Sequence, residues 1–204
     1  MRVMENMLAL TGDHPVVGDC PQSKPVYDLD SVGILRMLTK MEQTNCDCGG
    51  NELAGPAPKF YKGASVTPLY EPLFLQINKL RQKVDSGAMY IQTQGIFDLD
   101  MFKRFLEVVE KSGIKTHIMA GIIPLKAAGM AKYMNENVPG IAVPQEMIDR
   151  LAAEAAVGKE KGVKGLPAKL GIEMAAEMIA RIKDEKLCDG VHIMSPPAAR
   201  PFRR

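Results

Sequence analysis

Four short stretches carry the residues best suited to ligand chemistry, and each closes an apolar run: Thr11-Gly12-Asp13, Ser65-Val66-Thr67-Pro68, Gln92-Thr93-Gln94 and Gly121-Ile122-Ile123-Pro124. Together they offer one carboxylate, several hydroxyls and amides, and a glycine. No nucleophile lies beside a base, no second carboxylate accompanies Asp13, and no His/Cys set has metal-ligand spacing. A polar rim over an apolar floor suits a flat heteroaromatic ligand held by its edge. A single negative charge there would steady a positive one, as in hydride transfer to a cationic imine, with the redox chemistry left to an organic cofactor. Asp13 has a second reading as an Asx-turn acceptor in its own loop, and Gln94 as an amide that closes a strand end. His14 reads as a loop cap, and His117 and His192 as structural residues in or near strands.

These stretches need parallel strands to bring them together. Short apolar runs at Met7–Leu10, 60–66, 89–94, 117–123 and 191–194 read as strands. Helix-period segments lie between them. Asp28 or Asp30 caps one that turns Leu29, Val32, Leu35 and Leu38 inward. A second, 72–84, buries Leu73, Ile77 and Leu80. Asp98 caps a third, with Leu99, Phe102, Leu106 and Val109 on one face and Gly113 as its stop. A fourth is expected over 125–135. A fifth opens at Pro144 with Met147, Ile148 and Leu151 inward. A last one turns Ile172, Ala175, Ala176, Ile179 and Ile182 inward. Strand and helix in alternation is the rhythm of βαβ units in a parallel sheet, and a doubly wound sheet or a (β/α)8 barrel fits. No Gly-x-Gly-x-x-Gly follows a strand, which favours the barrel. Only five strands are visible, and a full barrel takes about 250 residues, so the expectation is an incomplete TIM barrel forming a single domain over 1–204.

Composition narrows the classes further. The 204 residues are 46% hydrophobic and 25% charged, with a formal net charge of +2, which argues against a nucleic-acid partner or an anionic membrane surface. The basic end around Arg200, Arg203 and Arg204 reads as a disordered tail over 195–204. No apolar stretch is long enough to span a bilayer and no secretory h-region opens the chain, so a cytoplasmic location is expected. Cys20, Cys46, Cys48 and Cys188 show no disulfide framework. Cys46-Asp47-Cys48 lacks a second ligand pair, and no metal site is expected.

Several motifs in one order carry a resemblance. They are Asn6 to Pro15 with Gly18-Asp19, Lys24-Pro25 and Tyr27 to Ser31; Gly63 to Pro68; Lys83 to Ala88; Gln92 to Asp98; Ala120 to Lys126; and Met134 to Gly140. In these the chain resembles the flavin-dependent methylenetetrahydrofolate reductases from about residue 5 to residue 194, with a spelling similar to the anaerobe, corrinoid-associated type. The resemblance implies a (β/α)8 barrel that uses FAD to reduce 5,10-methylenetetrahydrofolate to 5-methyltetrahydrofolate. It implies Asp13 beside flavin and folate, favouring the 5-iminium cation that accepts hydride, and Gln94 as the amide contacting the pterin and the reductant in turn. Thr11 and Gly12 would present backbone to the flavin, Tyr27 and Asp28 would line its ribityl or adenosine side, and Lys83 would sit near its pyrophosphate.

The chain also departs from that family's pattern. Thr67 stands where relatives place a cofactor-contacting His or Asn, Gln76 and Lys79 replace an Asp and an Asn, and Met130 and Met134 replace a Gln and a Phe. The electron donor, NADH, NADPH or another electron-donor protein, is therefore open, and a corrinoid or electron-transfer protein is an expected partner. The resemblance aligns the first strand here with the fourth of the barrel. The first three strands, with the general-acid Glu of the first, have no counterpart. An isolated chain of this kind is expected to be inactive and to work in an oligomer or complex. The alternatives are a split, non-catalytic subunit completed by a partner, or a flavin-free folate or methyl-transfer barrel.

Overall fold

The computed structural model describes residues 5–194. The basic tail expected at 195–204 lies outside them. Five strands, β1 (Asn6–Ala9), β2 (Tyr61–Val66), β3 (Tyr90–Gly95), β4 (His117–Ile122) and β5 (Gly190–Ile193), form one sheet in the order β1-β2-β3-β4-β5. Every pairing is parallel. The helices are α1 (Ser31–Thr44), α2 (Leu73–Asp85), α3 (Leu99–Lys111), α4 (Ala128–Asn137), α5 (Gln145–Lys161) and α6 (Leu166–Asp184).

Sequential order sends every crossover the same way, and right-handed crossovers then put the helices on one face of the sheet. The core follows. Ala9, Ala64, Val66, Ile91, Ile118, Ala120 and Ile122 point from the strands into a cluster with Leu35, Leu80, Phe102, Phe105 and Met178. The alternate residues, Leu8, Tyr61, Ser65, Tyr90, Gln92, Met119 and His192, belong to the opposite face, which no helix among the described residues covers and where Leu8 is 38% and Tyr61 43% exposed. Tyr61 and Tyr90 stack there with ring centroids 5.1 Å apart, and the Tyr90 ring occupies the space a side chain at Gly63 would need.

Caps and breakers set the element ends much as their chemistry suggests. Asp30, not Asp28, caps α1, its Oδ1 accepting from the Gly33 N–H at 2.7 Å. Asp98 Oδ1 accepts from the N–H groups of Asp100 and Met101. Gly113 follows α3 with φ +72°, where a Cβ would be strained. Leu29 is exposed rather than inward, because it precedes the cap and lies outside the helix. α4 starts three residues later than expected and runs to Asn137. Pro144 is the N-cap of α5 rather than its first helical residue.

The connection from β4 to β5 builds a second small core from Leu125, Ala131, Met134, Ile141, Val143, Ile148 and Leu151, joined by Phe97 from the β3–α3 loop. α6 is rotated from the expected face: Gly171, Met174, Ala175, Met178 and Ile182 are buried, whereas Ile172 is 61% exposed and Ala176 is exposed. The cause is close backbone approach, since a Cβ at Gly171 would overlap the Leu125 carbonyl. A second unexpected element is a lysine in the helix-side core. Lys62 is buried on β2 and pairs with Glu42 of α1. Burial works to raise the Glu42 pKa, but the Lys62 ammonium and the Phe60 N–H outweigh it and hold the carboxylate below its usual range.

Two outcomes test this packing. Gly171→Ala should push α6 off the Leu125 carbonyl and cost roughly 1–3 kcal/mol, read by chemical denaturation; unchanged stability would contradict the close approach. Asp189, just before β5, accepts from the Ile118 N–H at 2.8 Å and contacts His117 Nδ1 at 3.1 Å. The Ile118 bond first, and then His117, hold its carboxyl below the usual carboxylate range against a smaller desolvation effect. A depressed folded pKa adds stability above the ordinary Asp value, and that stability is lost as pH falls through the folded value. Asp189→Ala should therefore cost about 1 kcal/mol at pH 7, a gap that closes in melts run towards pH 3.

Candidate functional site

The tips of β1, β2 and β3 converge on two contiguous cavities. The inner one, about 440 Å³, lies on the open face and is lined by Leu8, Thr11, Gly12, Asp13, Ser65, Lys83, Gln92, Gln94, His192 and their neighbours. The outer one, about 590 Å³, runs between the β2–α2 loop, the start of α2 and the end of α4, with Tyr70, Gln76, Lys79, Tyr133 and Asn137 in its wall. Asp13, Thr67 and Gln94 belong to both walls. Carboxylate, hydroxyl and amide thus stand where the two spaces meet.

Local structure explains each placement. Thr11 Oγ1 accepts from the Ser31 N–H at 3.1 Å, which ties the β1–α1 loop to the start of α1. Gly12 has φ +84° with open space where a Cβ would be, so the loop turns there at little steric cost. Asp13 follows, exposed and without a hydrogen bond or ion pair to another described residue. Its Asx-turn reading has no bond to support it. His14 does cap its loop, Nδ1 accepting from the Val16 N–H at 3.2 Å. Gln94 is half-buried. Its Oε1 accepts from the Gly95 N–H at 3.1 Å, and its NH2 has no partner among the described residues. The structural reading of this amide therefore holds for its oxygen only.

Lys83 lies at the inner cavity with its Nζ donating to the Ser65 carbonyl at 2.6 Å. Burial pushes its pKa down, the Lys79 ammonium on the same helix adds to that, and Asp30 opposes it. Lys79 has no ion-pair partner among the described residues. Gln76 is 8% exposed, lines the outer cavity and likewise has no hydrogen-bond partner among them. This corner carries two cations and an unengaged amide, an arrangement suited to an anion.

Of the residues singled out from the sequence, Thr11, Gly12, Asp13, Lys83 and Gln94 line one continuous space. Tyr27 and Asp28 do not line either cavity; both are exposed, with the Tyr27 ring 6.4 Å from that of His14. Met130 and Met134 belong to the second core rather than the cavity wall. Tyr133 and Asn137 went unrecognised. Their spacing of four places them on one side of α4, but nothing local says that this side overlooks the β1 and β2 tips. Among the described residues no group of three or more His, Cys, Asp or Glu is placed to hold a metal. No helix among them is long and apolar enough to cross a membrane.

The sheet and its cavities define a parallel α/β protein with open space at the C-terminal tips of its strands. The family model for methylenetetrahydrofolate reductase matches residues 3–196, and the chain belongs to that family. A probable NADPH-dependent methylenetetrahydrofolate reductase of Caenorhabditis elegans is 24% identical over 93% of this chain and 26% of its own length. Methylenetetrahydrofolate reductase 1 of Schizosaccharomyces pombe is 32% identical over 51% of this chain and 17% of its own length. The 5,10-methylenetetrahydrofolate reductase of Salmonella typhimurium is 26% identical over 71% of this chain and 42% of its own. The chain thus spans well under half of each of these relatives. A solved structure of an uncharacterized Clostridium thermocellum protein, described as binding two copies of 5-methyl-5,6,7,8-tetrahydrofolic acid, covers 72% of this chain and 50% of its own at 17% identity. Its TM-score of 0.46 is too low to bear on the fold or ligand here.

Lys83 gives this site a stability signature. Because folding lowers its pKa, the charged amine opposes folding below the folded value, and that penalty fades as pH rises towards the ordinary lysine value. Lys83→Met should leave the melting temperature at pH 7 unchanged or higher despite losing the Ser65 bond. It should also remove the gain in stability that the wild type shows as pH rises towards the ordinary lysine value; a clear drop at pH 7 would show that the bond dominates.

Proposed function

We propose that this chain carries the flavin- and folate-binding part of a methylenetetrahydrofolate reductase, which converts 5,10-methylenetetrahydrofolate to 5-methyltetrahydrofolate. The observation that carries the reading is the meeting of two cavities at Asp13, Thr67 and Gln94. Hydride transfer between two flat ring systems needs both to reach one wall, and family membership supplies the chemistry. FAD, when bound, supplies the hydride.

The chain's own residues do the rest. The Asp13 carboxylate, unengaged and at the junction, stabilises the iminium cation of the opened folate by preorganised electrostatics. The Gln94 NH2 donates to the edge of the pterin. Thr11 and Gly12 offer backbone to the flavin ring. Lys83, with Lys79 behind it, takes the cofactor diphosphate, and the free Gln76 amide suits the polar chain next to it. Tyr27 and Asp28 would contact the flavin only after movement of the exposed loop that carries them. Sequential strand order with helices on one face supports a sheet that forms part of a (β/α)8 barrel. An open face bearing Leu8 and Tyr61 supports work within a larger assembly, since parallel sheets are ordinarily buried on both faces. The electron donor is NAD(P)H or a redox protein.

Titration of the purified protein with FAD and, separately, with 5-methyltetrahydrofolate tests the reading. Lys83→Met should weaken FAD about tenfold or more and leave folate affinity alone, whereas Gln94→Ala should do the reverse. Absence of flavin binding by the wild type, or equal losses for both ligands in both variants, would overturn it.

A further inference from the structure

β3 carries one residue too many just before the site. Gln92 pairs with Met119 and Gly95 with Gly121, so three steps on β3 run against two on β4. This is a β-bulge, and it lies between Gln92 and Gly95, the stretch that carries Thr93 and Gln94. Thr93 stitches it together. The side chain is 3% exposed, and Oγ1 accepts from the buried Gly121 N–H at 2.8 Å while donating to the Gln94 carbonyl at 2.8 Å. The hydroxyl thereby takes the place of a main-chain acceptor in the ladder. Gly95, displaced by the bulge, turns its N–H onto Gln94 Oε1 instead. That N–H can only donate, so it decides which way the Gln94 amide faces: oxygen inward and NH2 to the cavities.

We infer that Thr93 is a positioning residue whose hydroxyl holds the bulge that presents Gln94 as a hydrogen-bond donor, selecting ligands with an acceptor atom on the ring edge at the junction. This rests on the folate reading of the site for its ligand, but its mechanical half stands on the clip alone. Valine matches threonine in shape but leaves the Gly121 N–H unpaired and the bulge unclipped. Serine keeps both bonds.

The test compares Thr93→Val, Thr93→Ser, Gln94→Ala and the Thr93→Val/Gln94→Ala double variant in the full chain. Two readouts are used: 5-methyltetrahydrofolate affinity, and NMR of the Gln94 side-chain amide and of Gly121 N–H exchange. Thr93→Val should weaken folate about tenfold, Thr93→Ser less than about threefold, and the double variant should bind no worse than Gln94→Ala alone. Thr93→Val should also shift the Gln94 amide resonances and speed Gly121 exchange. An equal further loss in the Gln94→Ala background, or unmoved resonances and exchange, would overturn the inference. If the wild type binds no folate, the function reading fails, and the NMR comparison still decides the role of Thr93. If Thr93→Val does not fold, Thr93→Ala against Thr93→Ser provides the same contrast.

Discussion

The structure depends on one constraint, the sequential order of a wholly parallel sheet. Neighbouring strands joined by same-handed crossovers put the helices on one face. Apolar strand residues can then be buried only on that face, and they are: Ala64, Ile91 and Ala120 are fully buried against the helix layer. Among the described residues the other face is left free of helices. The cavities lie at the strand tips, with α2 and α4 walling the outer one, and of the apolar helix-side core only Val66, at the end of β2, lines them.

Charge is distributed to match. An ion pair at the helix-side core, between buried Lys62 and half-buried Glu42, holds α1 to β2 with partners satisfied on both sides. At the strand tips the charges are left unsatisfied. Asp13 and Lys79 have no ion-pair partners among the described residues, and Lys83 rests on a single carbonyl. Asp13 shares the inner cavity with Lys83 and the outer one with Lys79, so both signs of charge are available to the ligands of the proposed function.

Two backbone irregularities lie at the same place. The left-handed Gly12 turns the loop that delivers Asp13, and the bulge before Gly95 delivers Gln94. Regular β1 and β3 would present neither side chain in this way. Tolerance of these irregularities comes from side-chain bonds, Thr11 to the Ser31 N–H and Thr93 to the Gly121 N–H. Two threonines thus stabilise what the regular ladder cannot.

Much of this was legible in the residues. Short apolar runs and helix periods located the five strands and six helices of the described residues, because burial on one face imposes a pattern on the order of the residues. Asp98 and Gly113 announced the ends of α3, since cap chemistry is local. The strand-tip motifs named Asp13 and Gln94 before any geometry, and the family resemblance added Lys83. Other features needed the fold. The face of α6 was set by a backbone contact between Gly171 and Leu125, some forty-six positions apart, which outweighed the apolar character of Ile172. Tyr133 and Asn137 reach the site only because α4 ends over the β2–α2 loop, and Met130 and Met134 face away from it for the same reason. The residues by themselves determined which groups can react and which elements carry them, since both follow from side-chain chemistry and short-range spacing. Only the tertiary structure decided which of those groups share a cavity and which partners they lack, because that depends on contacts between distant segments.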